Sequence, residues 1–223
     1  MQEDYIDYTI NREKPSKAFS NFFDVLESFV YAILAVVIVF LFLGRLSVVD
    51  GQSMDNNLSL GEYLIVANPL FLYQPSNGDI IVIDGGEAFS PYDKPIVKRI
   101  IAKEGQTIEI NFKEELVYVD GILIDENYAK YEYPYSNSSD DITYRYHNYL
   151  LSQGNLFGGN EYYNEDTGIY TATIPKDHIF VMGDNRLNSA DSRVSQIGFV
   201  HEDYIVGKAI FRLFPFASMG GLY

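Results

Sequence analysis

The sequence contains no cysteine, which excludes disulfides, thiolate nucleophiles and Cys-ligated metals. It holds only three histidines, His147, His178 and His201, and no His-Glu-x-x-His pair, so the helix-borne zinc site of many metalloproteases is missing too. Basic residues are scarce: 16 Lys+Arg stand against 31 Asp+Glu, a formal charge of −15. A chain this acidic has no broad basic surface with which to neutralise phosphates, which excludes a generic nucleic-acid binder. Any catalysis must therefore rest on Ser or Thr, carboxylates, Lys or a single His.

What is abundant is apolar material. Hydrophobic residues make up 47% of the 223 residues and charged residues 21%, enough for one packed domain with an appendage and too apolar for disorder. The apolar residues are unevenly spread. Seventeen uncharged residues, Ser28 to Gly44, lie between Glu27 and Arg45; as a helix they span about 26 Å, close to the thickness of a bilayer core. A cleaved secretory signal or a buried core helix could share this composition. However, 27 residues precede the run and no small-x-small cleavage site closes it, which favours an uncleaved membrane anchor. Arg12, Lys14 and Lys17 precede the run and Arg45 alone follows it closely. By the positive-inside rule, residues 1–27 are expected to be cytoplasmic, 28–44 the transmembrane anchor, and 45–223 extracytoplasmic.

Beyond the anchor the pattern is that of a mainly β protein. Asp79–Asp84 reads as a strand entered from the turn Ser76-Asn77-Gly78, and Pro95–Ala102 as a strand stopped by Glu104-Gly105. Thr107–Ile110 and Leu116–Val119 follow, and Asp120-Gly121 ahead of Ile122-Leu123-Ile124 is a two-residue hairpin signal. Ile179–Met182 and Tyr204–Leu213 are again β-branched and aromatic. No helical period persists past the anchor, and no internal repeat is present. Between about 126 and 170 the composition shifts: ten of the 19 tyrosines fall there among Asn, Ser, Gly and acids. The expectation is a surface insertion whose tyrosines cover a small core of their own, with a recognition surface as the alternative.

Three segments carry candidate chemistry. Asp50-Gly51-Gln52-Ser53-Met54 places Ser53 eight residues past Arg45, at most about 28 Å of extended chain from the bilayer edge. In Ile96-Val97-Lys98-Arg99-Ile100-Ile101, strand alternation sets Ile96, Lys98 and Ile100 on one face and Val97, Arg99 and Ile101 on the other. Lys98 is then either a snorkelling surface lysine or a desolvated amine whose lowered pKa suits a general base. The loop Met182–Arg193 has eight polar residues in twelve, more hydrogen-bonding capacity than a plain turn needs.

Together these segments resemble one family, the type I signal peptidases, which are membrane-anchored Ser–Lys proteases. The serine motif resembles Gly51-Gln52-Ser53-Met54, the lysine motif Lys98-Arg99-Ile100, and the third motif Gly183-Asp184-Asn185-Arg186 through Ser189, Asp191, Ser192 and Arg193. The resemblance runs from the anchor to about Arg212 and leaves the tyrosine-rich stretch unmatched. The family pattern has Pro-Thr-Leu after Ser-Met-x, where this chain has Asn56-Asn57-Leu58, and Gly51 stands where some members carry a Ser beside the oxyanion hole. The resemblance implies a β-rich catalytic ectodomain of signal-peptidase type, with Ser53 as nucleophile and Lys98 as general base. It further implies Ser189 orienting the lysine, Asp191 and Arg193 as a supporting ion pair, and no metal or cofactor. The implied substrates are secretory preproteins with small residues one and three positions before the cut, met at a lipid bilayer by a monomer. Two rivals remain. A self-cleaving Ser–Lys repressor would usually lack the anchor and carry a DNA-binding module. An anchored, non-catalytic binding protein would give Ser53 and Lys98 no special role.

Overall fold

In a computed structural model of the chain, residues 17–68, 74–89, 94–112, 114–131, 162–164 and 167–222 are described. Two units are taken separately, the N-terminal helix and the β-rich part from Leu43 onward.

The helix α1 spans Lys17–Leu43, about 40 Å at the ordinary rise per residue. It starts well before Ser28, so the apolar run fills only its C-terminal part, and Gly44 already belongs to the next element. The stretch Asn21–Ile38 is long and apolar enough to cross a membrane, and none of it is buried. Phe22, Phe29 and Val36 all stand more than half exposed, as expected of a helix whose solvent is lipid rather than a protein core.

The β-rich part contains two antiparallel sheets. The first is built from β1 (Gly44–Val48), β2 (Tyr63–Ala67), β3 (Ile80–Ile83), β4 (Ile96–Lys103), β10 (His178–Met182), β11 (Val200–His201) and β12 (Ile205–Phe214), in the order β1-β2-β12-β3-β4-β10-β11. A short β13 (Gly220–Gly221) pairs with β12. The second has the order β7-β6-β5-β9-β8, from β5 (Thr107–Asn111), β6 (Leu116–Val119), β7 (Ile122–Leu123), β8 (Tyr162–Asn164) and β9 (Ile169–Thr173). β4 leads the chain into the second sheet through the turn at Gly105, whose N–H bonds Ile174 O. β9 and β10 bring it back.

Each strand expected from sequence is present to within one or two residues. The Asp120-Gly121 hairpin is a left-handed pair, with φ 52° and 75°, which matches the twist of the flanking strands. β1, β2, β8, β9, β11 and β13 are additions. β8 and β9 pair within the second sheet, so Tyr162–Asn164 and Ile169–Tyr170 are strand residues. Residues 132–161, most of the tyrosine-rich stretch, and the apolar Pro69–Tyr73 lie outside the described residues.

β3 is buried on both faces, which explains its unbroken apolar run. Ile81 and Ile83 enter the large core between the sheets with Ile100, Ile108, Val117 and Phe180. Ile80 and Val82 enter a smaller core with Val97, Leu64, Met54 and Leu58. The alternation expected for β4 holds at Val97 and Ile100. It fails at Ile101, which joins the same core as Ile100, because the register against β10 slips opposite Phe180 and Val181. Gly207 in β12 is fixed by close packing: a Cβ there would stand 2.1 Å from the Ala67 carbonyl oxygen. At the end of β12 the sequence Leu213-Phe214-Pro215-Phe216 is not core. Phe216 is 73% exposed, and Phe214 packs edge-on against both Phe216 and Tyr63.

Candidate active site

Ser53 sits in a tight turn between β1 and β2. Met54 and Leu58, four residues apart and both fully buried, pin the turn into the smaller core. The N–H groups of Asn57 and Leu58 bond Met54 O, and that of Asp55 bonds Gln52 O. Ser53 N–H has no acceptor among the described residues. The turn therefore presents one hydroxyl and one free backbone donor together.

β4 brings Lys98 to this turn. The lysine is only 3% exposed, and its Nζ donates to Ser53 Oγ at 2.6 Å and to Val97 O at 3.1 Å. The sequence left Lys98 between a snorkelling and a desolvated residue; it is desolvated. Burial is the main force that pushes its pKa down to about 8, and Arg193 pulls the same way, against the opposing pull of Asp191 and Asp184. Removing an ammonium from water favours its neutral form, so this amine is available as a proton acceptor near neutral pH. Val49, Asp50, Gly51, Met54, Pro95, Ile96 and Val97 wall a cleft that opens onto Ser53 and Lys98.

The third element is the loop after β10, which neutralises its own buried charge. Asp191 takes Arg193 in a bidentate pair at 2.7 and 2.8 Å and accepts Gly183 N–H at 2.9 Å. Burial alone would raise the Asp191 pKa, but Arg193, Gly183 and the Ser189 hydroxyl together hold it below its usual value. Ser189 thus meets Asp191, which in turn acts on Lys98 through its charge. Ser192 locks the loop to β10, its hydroxyl accepting Val181 N–H at 2.9 Å. The loop also grips the serine turn: Asn185 N–H donates to Ser53 O at 2.9 Å, and Asn185 Nδ2 to Gln52 O at 3.1 Å.

Two buried ion pairs escaped the sequence reading. Arg99 forms a fork with Asp184 at 2.7 and 2.8 Å and donates to Gly78 O at 2.6 Å. Arg186, fully buried, is held by Glu126, Tyr131 Oη and Gly183 O. Arg99, Asp184 and Arg186 were visible in the motifs, but nothing local says which acid meets which base. Tyr128 and Tyr131, at the start of the tyrosine-rich stretch, pack against arginines. The Tyr128 ring lies 4.1 Å from the Arg99 guanidinium, and both rings lie within 6 Å of Arg186. Among the described residues no group of three or more His, Asp or Glu could hold a metal ion. His178 and His201 pack edge-on against each other across β10 and β11.

A buried amine touching a serine hydroxyl beside a free N–H can carry out nucleophilic attack on a carbonyl without histidine. Comparison with known proteins places the chain among peptidases. The family described as signal peptidase, peptidase S26, matches residues 22–214. The chain is 32% identical over 211 residues to signal peptidase I T of Bacillus subtilis (strain 168), covering 94% of each chain. It is 33% identical over 210 residues to a signal peptidase I of Bacillus amyloliquefaciens, covering 93% of each. With a signal peptidase I of Bacillus caldolyticus it shares 35% over 186 residues, covering 83% of this chain and 87% of that one.

Gly183 is the tightest joint of the site. A Cβ there would stand 2.3 Å from Ser189 Oγ and 2.4 Å from the Ser53 carbonyl oxygen. Ser189 can rotate away, but the backbone of Ser53 can move only by carrying the hydroxyl with it. Gly183→Ala is therefore expected to fold with a lowered melting temperature and to lose about 100-fold in turnover, the scale of an ångström-sized misplacement. Turnover within twofold of the parent in a folded variant would show that this contact does not set the position of Ser53.

Proposed function

The chain belongs to the signal peptidase family, peptidase S26, and we propose that Ser53 is its nucleophile and Lys98 its general base. As a member of that family it is a peptide hydrolase that cleaves signal peptides from exported preproteins. The observation that carries the finer reading is the 2.6 Å hydrogen bond between Ser53 Oγ and an amine whose burial lowers its pKa to about 8.

The chemistry follows from that contact. Neutral Lys98 accepts the Ser53 proton as Oγ adds to the scissile carbonyl, and the Ser53 N–H faces the oxyanion that forms. Collapse expels the amine of the mature protein, which takes the proton from Lys98 and leaves an ester on Ser53. A water molecule then loses a proton to Lys98 as it adds to the ester. Lys98 returns that proton to Oγ as the signal peptide leaves as a carboxylic acid, which then loses its proton to solvent. One water is consumed, and Lys98 ends in its starting state. Asp191 and Arg193 support the dyad by fixing the loop and the field around Lys98, and Ser189 acts through Asp191. The apolar walls of the cleft suit the small residues that the family resemblance assigns to the positions before the cut.

As expected outcomes, Ser53→Ala and Lys98→Ala each abolish cleavage of a purified preprotein, and the double variant is no worse, because the two groups act as one unit. Lys98→Arg fails equally, since a guanidinium stays protonated. Ser189→Ala folds and slows the reaction about 5- to 150-fold. The neutral amine is the active form, so the rate rises with pH through a limb near 8, below the ~10.4 of an ordinary lysine. Near-normal cleavage by folded Lys98→Arg would falsify the dyad.

We further propose that α1 anchors the enzyme with its N-terminus in the cytoplasm and residues 45–223 outside. Lys17 together with Arg12 and Lys14 against Arg45 supports this orientation. The exposed aromatic cluster of Tyr63, Phe214 and Phe216 supports contact of the catalytic part with lipid. Protease added to cells stripped to their membrane should digest the catalytic part and spare the first residues; the reverse pattern would overturn the orientation.

A further inference from the structure

The departure Asn56-Asn57 from the family's Pro-Thr coincides with a set of contacts that Pro-Thr could not make in full. Both side-chain amides donate to one acceptor, the carbonyl oxygen of Tyr128, at 2.8 Å from Asn56 and 2.9 Å from Asn57. Asn57 Nδ2 also donates to Asp184 Oδ2 at 2.8 Å. An amide carries two N–H groups and serves two acceptors, whereas a threonine hydroxyl has one proton to give. Asn56 adopts φ 129°, which a proline ring, fixed near −65°, cannot reach. The two replacements therefore belong together.

Tyr128 is where the three segments of the site meet. Its carbonyl oxygen takes the serine turn. Its ring lies 4.1 Å from the guanidinium of Arg99, the residue after Lys98. The following segment is stitched to the polar loop, with Lys130 N–H donating to Asp184 O and Arg186 N–H to Lys130 O. The turn carrying Ser53 and the strand carrying Lys98 meet through Ser53 Oγ, and Tyr128 gives them a second connection.

We propose that Asn56, Asn57 and Tyr128 form a clamp that sets the Ser53–Lys98 distance, which makes them positioning residues for peptide hydrolysis. The clamp rests on the dyad reading above. Removing it lets the turn slip against β4 and lengthens the hydrogen bond along which the proton moves, a displacement to which turnover is sensitive. It also takes a donor from Asp184, whose negative charge then favours the Lys98 ammonium more strongly.

The test measures cleavage of a preprotein by the full chain in detergent micelles, with kcat, KM and the pH limb recorded for each variant. Asn57→Leu is expected to lower kcat about 10- to 100-fold with KM within twofold, and to move the limb to higher pH. Asn57→Thr, which keeps one donor, falls between Asn57→Leu and the parent. Tyr128→Ala, which keeps the carbonyl acceptor and removes only the ring from Arg99, is expected to fall between Asn57→Leu and the parent. Should Asn57→Leu fail to fold, Asn56→Gly serves in its place: it suits the backbone at φ 129°, removes one donor, and is expected to cost about 3- to 10-fold in kcat. Lys98→Arg is assayed in parallel. If Lys98→Arg is inactive while kcat and the limb are unchanged in folded Asn57→Leu and Tyr128→Ala, or only KM rises, the clamp is overturned and the dyad stands. Activity in Lys98→Arg overturns the dyad itself.

Discussion

A lysine amine taken out of water is the constraint on which the rest of this structure depends. Burying an ammonium is unfavourable unless a carboxylate pairs with it, and a paired ammonium would be useless as a base. Lys98 sits between these outcomes. Its Nζ touches a hydroxyl and a carbonyl oxygen rather than a carboxylate. Burial on β4 therefore outweighs the opposing charges of Asp191 and Asp184, and its pKa falls to about 8.

That arrangement requires the nearby acids to be occupied. Asp184 is closed by Arg99, Asp191 by Arg193, and Glu126 by Arg186. Asp184 and Asp191, the two carboxylates whose charges act on Lys98, are each bound in a fork whose geometry favours arginine. The density of polar residues in the loop from Gly183 to Arg193 follows from this. The loop lies between buried strands and the serine turn, so it carries its own counter-charges and its own donors. Gly183 lets it come within contact of the Ser53 carbonyl, and Asn185 then ties the two backbones together.

Much of this was legible in the sequence wherever the signal was local. The apolar run of β3 between polar turns, the Asp120-Gly121 hairpin and the isolated Lys98 among β-branched residues each declared themselves within a few positions. Ser53, Lys98, Ser189, Asp191 and Arg193 were singled out through the order of three short motifs, and the fold brings them to one place. What could not be read depends on pairing at a distance. β12 inserts between β2 and β3 although more than a hundred residues separate it from both. The slip opposite Phe180 and Val181 moves Ile101 into the core that holds Ile100, and no pattern within β4 announces it. In sequence Asn56 and Asn57 stood out only as a departure from the family's Pro-Thr. In three dimensions they hold the carbonyl of Tyr128, 72 and 71 positions away, and the tyrosine-rich composition around 128 hid that role.

The central claim is that burial lowers the pKa of Lys98 to about 8, so that a useful fraction of the amine is neutral near physiological pH. It is tested most directly by titrating the full chain in micelles with lysines isotopically labelled at the Nζ-bearing carbon, following that carbon's NMR shift and assigning Lys98 by its absence in Lys98→Arg. The account predicts one resonance that titrates with a midpoint near 8, apart from the other lysines. A Lys98 resonance that titrates with the ordinary lysines near ~10.4 would contradict it.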